Sequence, residues 1–261
     1  MTTRVFDFDR AIVREPAESV VRGLRTGPEA PRHDRVVAEH RAYVAAIEEA
    51  GVAVETLPAL PDYPDSVFVE DPAFVLGEGA ILLRPGAPSR FAEPAMLAPA
   101  LNRHFAHVAA VDDGFVDGGD ILVLPDEILI GLSARTDEAG ARRFCGLAGD
   151  LGRRVRIVEP PPGLLHLKSG CALLDERTMI AQPELAPLFR RYKVLVTPEE
   201  ESGAANLIRV NDRVLMGDTF PKTADMLTEE GFKVVELPAS EIAKIDAGLS
   251  CMSLRWHSVA K

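Results

Sequence analysis

Aromatic residues, cysteines and long apolar stretches are all scarce in this sequence. Of its 261 residues, 6% are aromatic and three are cysteines. An odd, sparse set of cysteines without a CxxC pair argues against a disulfide framework and against a zinc finger. No apolar run approaches the roughly 18 residues that a membrane helix needs, and the first residues lack the apolar core of a secretory signal. We therefore expect a cytoplasmic protein without membrane contact.

Basic residues are in the minority. The 29 lysines and arginines stand against 40 aspartates and glutamates, which gives a net charge of -11. Such a surface repels the phosphates of nucleic acids, and no basic cluster offsets that repulsion. It suits a cationic small ligand instead. Because no Gly/Ser-rich linker interrupts the chain and 47% of its residues are hydrophobic, we expect residues 1–261 to form a single domain.

A unit of two β-rich runs, a helix and a further short strand recurs at roughly 40 to 50 residues. Turn chemistry predicts hairpins at 66–83, 121–130, 171–181 and 207–216. Helices are predicted at 34–50, 92–105, 183–191 and 223–230, with one more that Thr136 would cap. If a strand at 4–13 pairs with the run 249–256, the units number five. Closed in a ring, they would make an α/β five-bladed ββαβ propeller with pseudo-fivefold symmetry.

One chemically active residue stands at the start of each predicted hairpin, just before its apolar run. The five are Asp65, Asp117, His166, Asn206 and Cys251, separated by 52, 49, 40 and 45 residues. In a closed ring, equivalent positions of the repeats face one another. We therefore expect these five side chains to converge on the axis and share one pocket.

A cysteine, a histidine and carboxylates in one pocket suit attack on a cationic carbon. A thiol becomes a strong nucleophile once it is deprotonated, and a histidine or a bound cation can lower its pKa. The histidine can then protonate a leaving group and later activate water. Carboxylates would hinder acyl transfer through an oxyanion, but they would attract a positively charged electrophile. A guanidinium group is the obvious one.

Each of these residues also has a purely structural interpretation. Cys251 can be a small core hydrophobe, His166 a buried histidine with satisfied hydrogen bonds, and 117–120 a tight turn. Their common phase in the repeat favours the catalytic interpretation. Cys145 and Cys171 lie in predicted core positions and are expected to be inert.

Six motifs resemble those of the dimethylarginine dimethylaminohydrolase family, the dimethylargininases of the pentein superfamily. They are PDSVFVEDPAFV, LLRPGAPSR, FVDGGDIL, GLSART, GLLHLKSG and KIDAGLSCMSL, and the resemblance covers about 5–256. It implies a five-bladed α/β propeller that hydrolyses N-omega-methylated arginine to citrulline and methylamine or dimethylamine through a cysteine thiouronium intermediate. It also implies a small guanidino molecule as the partner, with neither cofactor nor metal, and leaves a homodimer open.

The resemblance assigns three catalytic roles. Cys251 would attack the guanidinium carbon, and His166 would protonate the departing amine before activating the hydrolytic water. Asp117 would orient His166 and stabilise its charge.

The resemblance also assigns the substrate contacts. Asp65 and Asp71, supported by the neighbouring Glu70, would bind the guanidinium group. Arg90 and Arg135 would bind the α-carboxylate of the substrate.

Two weaker matches concern backbone carbonyls. Leu24 and Ile245 would offer theirs to the α-amino group of the substrate. The loop 23–32, called the lid loop below, aligns by position more than by motif, which leaves the choice of substrate open. The alternatives are a hydrolase, deiminase or amidinotransferase for another guanidino compound, and a non-catalytic binding module.

Overall fold

In the computed structural model, which describes residues 4–259, fifteen short strands form five separate three-stranded sheets. In each sheet the middle strand pairs antiparallel with one neighbour and parallel with the other. The ends of the predicted domain, 1–3 and 260–261, lie outside the described residues. The strands are β1 (Arg10–Arg14), β2 (Ala53–Leu57), β3 (Ala73–Leu76), β4 (Gly79–Leu82), β5 (Val108–Ala110), β6 (Ile121–Val123), β7 (Ile128–Gly131), β8 (Val155–Val158), β9 (Cys171–Leu173), β10 (Thr178–Ala181), β11 (Lys193–Val196), β12 (Ile208–Val210), β13 (Arg213–Gly217), β14 (Lys233–Leu237) and β15 (Leu254–Trp256).

The sheets are the blades of a ββαβ propeller, as predicted. Four blades use an α-helix as the crossover between the parallel strands: α1 (His33–Glu49), α2 (Glu93–His104), α3 (Glu138–Asp150) and α4 (Pro221–Glu229). The helix predicted at 183–191 is wrong, because the crossover there is only a 3-10 turn, Ala186–Phe189. Pro187 lacks an N–H and disfavours a longer helix at that point. No helix within residues 4–259 is long and apolar enough to cross a membrane.

The two chain ends close the ring. β15 pairs antiparallel with β1, with Trp256 opposite Arg10, and β1 pairs parallel with β2. The predicted pairing is therefore confirmed, but both strands are shorter than expected. The segment Leu249–Met252 forms a 3-10 turn instead of a strand.

The side chain of Asn211 connects the blade of β12, β13 and β14 to the blade that contains β1 and β2. Asn211 occupies the turn between β12 and β13 in the left-handed region, with φ 53°. Its Oδ1 accepts the Phe8 backbone N–H at 2.7 Å, and its Nδ2 donates to the Ala50 carbonyl at 2.7 Å. Asparagine tolerates this conformation better than most residues do, which explains its place in the turn.

The apolar faces of the helices pack against the sheets. Phe144 of α3 is fully buried and meets Phe74 of β3 edge-on, with ring centroids 5.2 Å apart. Asp137 caps α3 by accepting the Gly140 N–H, so the cap predicted at Thr136 is wrong. The Thr136 hydroxyl instead donates to Asp120 at 2.6 Å, next to the pocket described below.

Candidate active site

Three short 3-10 turns, each just before a strand, bring together side chains that the sequence predicts to share a pocket. The turns Gly118–Asp120, Leu167–Ser169 and Leu249–Met252 precede β6, β9 and β15. Asp117 and His166, which immediately precede the first two turns, Cys251 in the third turn and Leu24 of the lid loop line one narrow pocket. Its lining is Leu24, Asp65, Phe68, Asp71, Arg90, Asp117, Arg135, Leu165, His166, Ile245, Asp246, Ala247 and Cys251. Four of the five residues with a common repeat phase therefore meet, and Asn206 does not line the pocket.

His166 and Asp117 form a buried ion pair. His166 Nε2 lies 3.0 Å from Asp117 Oδ2, and Asp117 Oδ1 accepts the Gly86 N–H at 2.8 Å. Burial by itself would lower the pKa of His166, but the carboxylates of Asp71, Asp117 and Asp120 outweigh burial and raise it to about 9. The imidazole is therefore protonated at neutral pH and can act as an acid.

The Gly118-Gly119 pair is required by close packing around this histidine. A Cβ on Gly119 would lie 2.5 Å from Nδ1 and 2.6 Å from Cγ of His166, and a Cβ on Gly118 would collide with the Glu70 carbonyl. Asp120, which the sequence analysis treated only as part of a turn, accepts the Leu167 N–H at 2.9 Å. It thereby fixes the backbone next to the imidazole.

Cys251 is buried, with 8% of its surface exposed. Its N–H donates to the Gly248 carbonyl at 3.2 Å and its carbonyl accepts the Glu70 N–H at 3.2 Å. Burial first, and then the negative charges of Asp71 and Glu70, raise the pKa of the thiol to about 12. Among these groups the sulfur is therefore a neutral thiol at neutral pH.

Asp71 and Arg90 form a second buried ion pair of the pocket, with Arg90 Nη1 at 2.5 Å from Asp71 Oδ2. Burial would raise the pKa of Asp71, but the charges of Arg90 and His166 lower it, so the carboxylate is ionised. Arg90 also binds Glu93 at 2.7 Å and donates to the Phe68 carbonyl at 2.8 Å. The arginine predicted to bind substrate is thus largely occupied by protein groups.

Asp65 is also buried in the pocket, and its backbone carbonyl accepts a hydrogen bond from Arg90 Nη2 at 3.2 Å. Its Oδ1 accepts the Leu24 N–H of the lid loop at 2.9 Å. Burial is the largest influence on this carboxyl and raises its pKa, which Arg90 only partly offsets. A cationic ligand beside Asp65 would favour its ionised form.

Glu70 points away from this pocket. Its Oε1 lies 2.7 Å from Lys168 Nζ and 3.3 Å from Arg255 Nη2, and these three side chains line a separate, larger cavity of about 630 Å³. The structure therefore places Glu70 outside the pocket, where its backbone N–H bonds the Cys251 carbonyl but its carboxylate does not line the pocket.

Arg135 lies half-buried at the mouth of the pocket. Within residues 4–259 no carboxylate oxygen lies within 4 Å of its guanidinium group, whereas Arg90 is paired twice. Leu24 and Ile245 line the same mouth, on the lid loop and in the 3-10 turn Ile242–Ile245.

Asn206 lies beside the turn that carries Cys251. Its Oδ1 accepts the Ser250 hydroxyl at 2.8 Å, and its side chain fills the space that a Cβ on Gly248 would need. Arg255 donates to the Ser250 carbonyl at 3.2 Å. Repeat spacing identified Asn206, but no sequence pattern indicated that its partner is the turn that carries Cys251.

Asp71, Asp117 and His166 have ligand atoms within 4.8 Å of one another and could in principle hold a metal ion. A metal that bound His166 would have to displace the ring proton, because the pKa of His166 is about 9. Asp71 is moreover bound to Arg90. The electrostatics of the pocket suit an organic cation better than a resident metal.

Comparison with known proteins gives consistent results. A family model described as "N,N dimethylarginine dimethylhydrolase, eukaryotic" matches residues 25–157. The chain is 38% identical to the N(G),N(G)-dimethylarginine dimethylaminohydrolase of Pseudomonas aeruginosa, over 95% of this chain and all of that protein. It is 34% identical to the protein of the same name from Streptomyces coelicolor, over 96% of this chain and 98% of that one. The structure superposes with a TM-score of 0.93 on a cysteine-to-serine variant of the Pseudomonas aeruginosa enzyme complexed with citrulline, covering 96% of this chain and all of the other.

Proposed function

Because the chain belongs to the dimethylarginine dimethylaminohydrolase family, we propose that it hydrolyses N-omega-methylated arginine to citrulline and methylamine or dimethylamine. One observation carries the proposal. A protonated His166 paired with Asp117 shares a pocket with the buried thiol of Cys251 and the carboxylates of Asp65 and Asp71. An acid, a nucleophile and binding groups for a cation are what this reaction requires.

The substrate would lie with its guanidinium group between Asp65 and Asp71 and its amino-acid end at the mouth. Arg135 has no carboxylate partner among residues 4–259 and would bind the α-carboxylate. Arg90 has five N–H groups, and the second hydrogen of Nη1 has no acceptor within residues 4–259. That hydrogen would be its contribution to the same carboxylate. The main role of Arg90 would be to hold Asp71 in place.

The backbone carbonyls of Leu24 and Ile245 would accept the α-amino group. Both residues line the mouth of the pocket. Glu70 would support the site indirectly, through its N–H bond to the Cys251 carbonyl and its ion pair with Lys168.

Substrate binding would itself activate the nucleophile. Burial and, after it, the negative charges of Asp71 and Glu70 hold the proton on Cys251, and a bound guanidinium ion neutralises part of that negative charge. Because His166 is already protonated, the thiol proton would leave to solvent. The thiolate would then form an S–C bond to the guanidinium carbon.

His166 would act twice. It would first donate its proton to the methylated nitrogen, so that the C–N bond breaks and the amine leaves a thiouronium group on Cys251. The neutral imidazole would then take a proton from water as that water attacks the same carbon. The S–C bond breaks, the hydroxyl proton of the adduct passes to the departing sulfur of Cys251 so that citrulline and the thiol form, and Asp117 stabilises the imidazolium ion that results.

The test is an assay of citrulline formed from asymmetric dimethylarginine, monomethylarginine and arginine. We expect citrulline from the methylated forms, little from arginine, and none when Cys251 is replaced by serine. Citrulline mainly from arginine would make the protein a deiminase. No citrulline from any of the three would refute methylarginine hydrolysis.

A cytoplasmic location and a homodimer are further proposals. The three free cysteines of residues 4–259 are in keeping with a reducing compartment. Sedimentation equilibrium over a range of concentrations would test the dimer, and a single species of 28.2 kDa would contradict it.

A further inference from the structure

The lid loop is attached to the body of the protein by carboxylates at three points along its length. Near its start, Leu24 donates its N–H to Asp65 at 2.9 Å. In the middle, Thr26 binds the carboxylate of Asp246. At its end, Arg32 donates its N–H to Glu241 Oε2 at 2.7 Å. Asp65 and Asp246 line the pocket, and Asp246 and Glu241 belong to the segment that leads to Cys251.

The attachment at Asp246 uses both oxygens of one carboxylate. Oδ2 accepts the Thr26 N–H at 2.7 Å and Oδ1 accepts the Thr26 hydroxyl at 3.0 Å. Asp246 is one of two non-glycine residues with positive φ in 4–259, at φ 55° and ψ 25°. This conformation turns the chain between Ile245 and the nucleophile turn Leu249–Met252, with the carboxylate bound to the lid.

The body side of this contact is rigid. Buried Glu39 of α1 accepts the N–H groups of Glu241 and Ile242 at 2.7 and 2.9 Å, which fixes the start of the 3-10 turn Ile242–Ile245. Thr26, by contrast, lies in a loop whose residues from Leu24 to Ala30 are exposed. Breaking the Asp246–Thr26 contact would therefore loosen the middle of the lid loop, between the attachments at Leu24 and Arg32, and leave the segment that carries Cys251 in place.

We propose that Asp246 is a positioning residue that clamps the lid loop over the pocket through Thr26 and so holds the two mouth residues, Leu24 and Ile245, at a fixed separation. Leu24 is two residues from one side of the clamp and Ile245 adjoins the other. The clamp sets the width of the mouth that receives the amino-acid end of the substrate. The kinetic part of this inference rests on the proposed function, and the clamp itself does not.

The decisive variants are Asp246→Asn and Thr26→Val. Asparagine tolerates the positive φ and keeps the size of the side chain, but it has one acceptor oxygen in place of two. Thr26→Val removes only the hydroxyl, and Thr26→Ser restores it. The matched control is Glu29→Gln in the same loop, because the Glu29 carboxylate makes only a 3.6 Å, largely exposed pair with Lys244.

Two readouts do not depend on substrate. Trypsin cleavage after Arg25, followed by mass spectrometry, reports opening of the lid loop. Alkylation of Cys251 by iodoacetamide reports access to the pocket, with Cys145 as an internal reference. We expect both rates to rise about three- to tenfold in Asp246→Asn, less in Thr26→Val, and not in Thr26→Ser or Glu29→Gln.

The third readout is kinetic. The clamp predicts a three- to tenfold rise of KM for methylated arginine in Asp246→Asn, with kcat changed less than twofold. Unchanged proteolysis and alkylation in both Asp246→Asn and Thr26→Val, with folding verified by circular dichroism, would overturn the clamp. Altered proteolysis and alkylation in a protein that makes no citrulline would support the clamp and refute the proposed function. Altered opening with unchanged KM would refute the positioning role.

Discussion

His166 Nε2 and Asp117 Oδ2 lie 3.0 Å apart in a pocket from which both side chains expose almost nothing. Two hydrogen bonds hold Asp117 in place. Asp117 is held by the Gly86 N–H, and its own N–H donates to Thr136 Oγ1 at 3.1 Å. With Asp71 and Asp120 nearby, the pair keeps the histidine charged at neutral pH.

Asp117→Asn removes one of the charges that raise the pKa of His166. We expect the pKa of the ring to fall from about 9 toward its ordinary value, and kcat to fall by about 100-fold or more. Because the reaction needs the protonated form, wild-type activity should decline as pH rises through about 9. In the variant the decline should begin at lower pH. NMR titration of His166 and pH–rate profiles measure both, and a wild-type pKa near 6.5 would contradict this account.

Cys251 is expected to titrate far above neutral pH in the free protein. Thiolate absorbance near 240 nm, measured as a difference against Cys251→Ser, should stay low at pH 8 because the pKa lies near 12. A bound guanidinium ligand should increase the absorbance at that pH, since it offsets the negative charges around the sulfur. A thiolate already formed at pH 7 without ligand would show that substrate is not needed for activation.

Gly119→Ala tests the packing around the histidine. The added methyl group would lie about 2.5 Å from the imidazole ring and must displace it, so kcat should drop at least tenfold. Gly146→Ala in α3 is the matched control, because its Cβ meets no atom within 4 Å. That control should keep full activity and gain up to about 1 kcal/mol in unfolding free energy. Equal activity of the two variants would show that His166 does not need its observed position.

Arg135→Ala should act on binding rather than on chemistry. We expect KM for methylated arginine to rise about 10- to 100-fold with a smaller change in kcat, because the contact is remote from the reacting carbon. The KM for a guanidino compound without an α-carboxylate should be the same in this variant as in the wild type. If KM rises by the same factor for both compounds, Arg135 does not recognise the α-carboxylate.

Much of the fold can be predicted from the sequence because the same ββαβ pattern recurs along the chain. Alternating apolar runs around short polar turns predict the hairpins, and the common phase of Asp117, His166 and Cys251 predicts that they meet. The first prediction depends on local sequence pattern, and the second depends also on closure of the ring. The crossover at Ala186–Phe189 and the cap of α3 were predicted wrongly, since proline placement and the competing demand of Asp120 for Thr136 override local propensity there.

The long-range contacts of the site could not be predicted. Asp246 and Thr26 are 220 positions apart, and Asp71 and Arg90 meet only once β3 and the turn Pro88–Arg90 are in place. Nothing in the DSVFVED motif distinguishes Glu70, which faces the larger cavity, from Asp71, which faces the pocket. Such a distinction depends on which way a turn directs each side chain.

The most direct test of the central claim is to trap the intermediate. The protein would be mixed with asymmetric dimethylarginine, quenched in acid within milliseconds to seconds, and digested for mass spectrometry. The account predicts a thiouronium adduct on the peptide that carries Cys251, with dimethylamine released before citrulline. Citrulline formation at full rate with no adduct at any quench time, or an adduct on Cys145 or Cys171 instead, would contradict it.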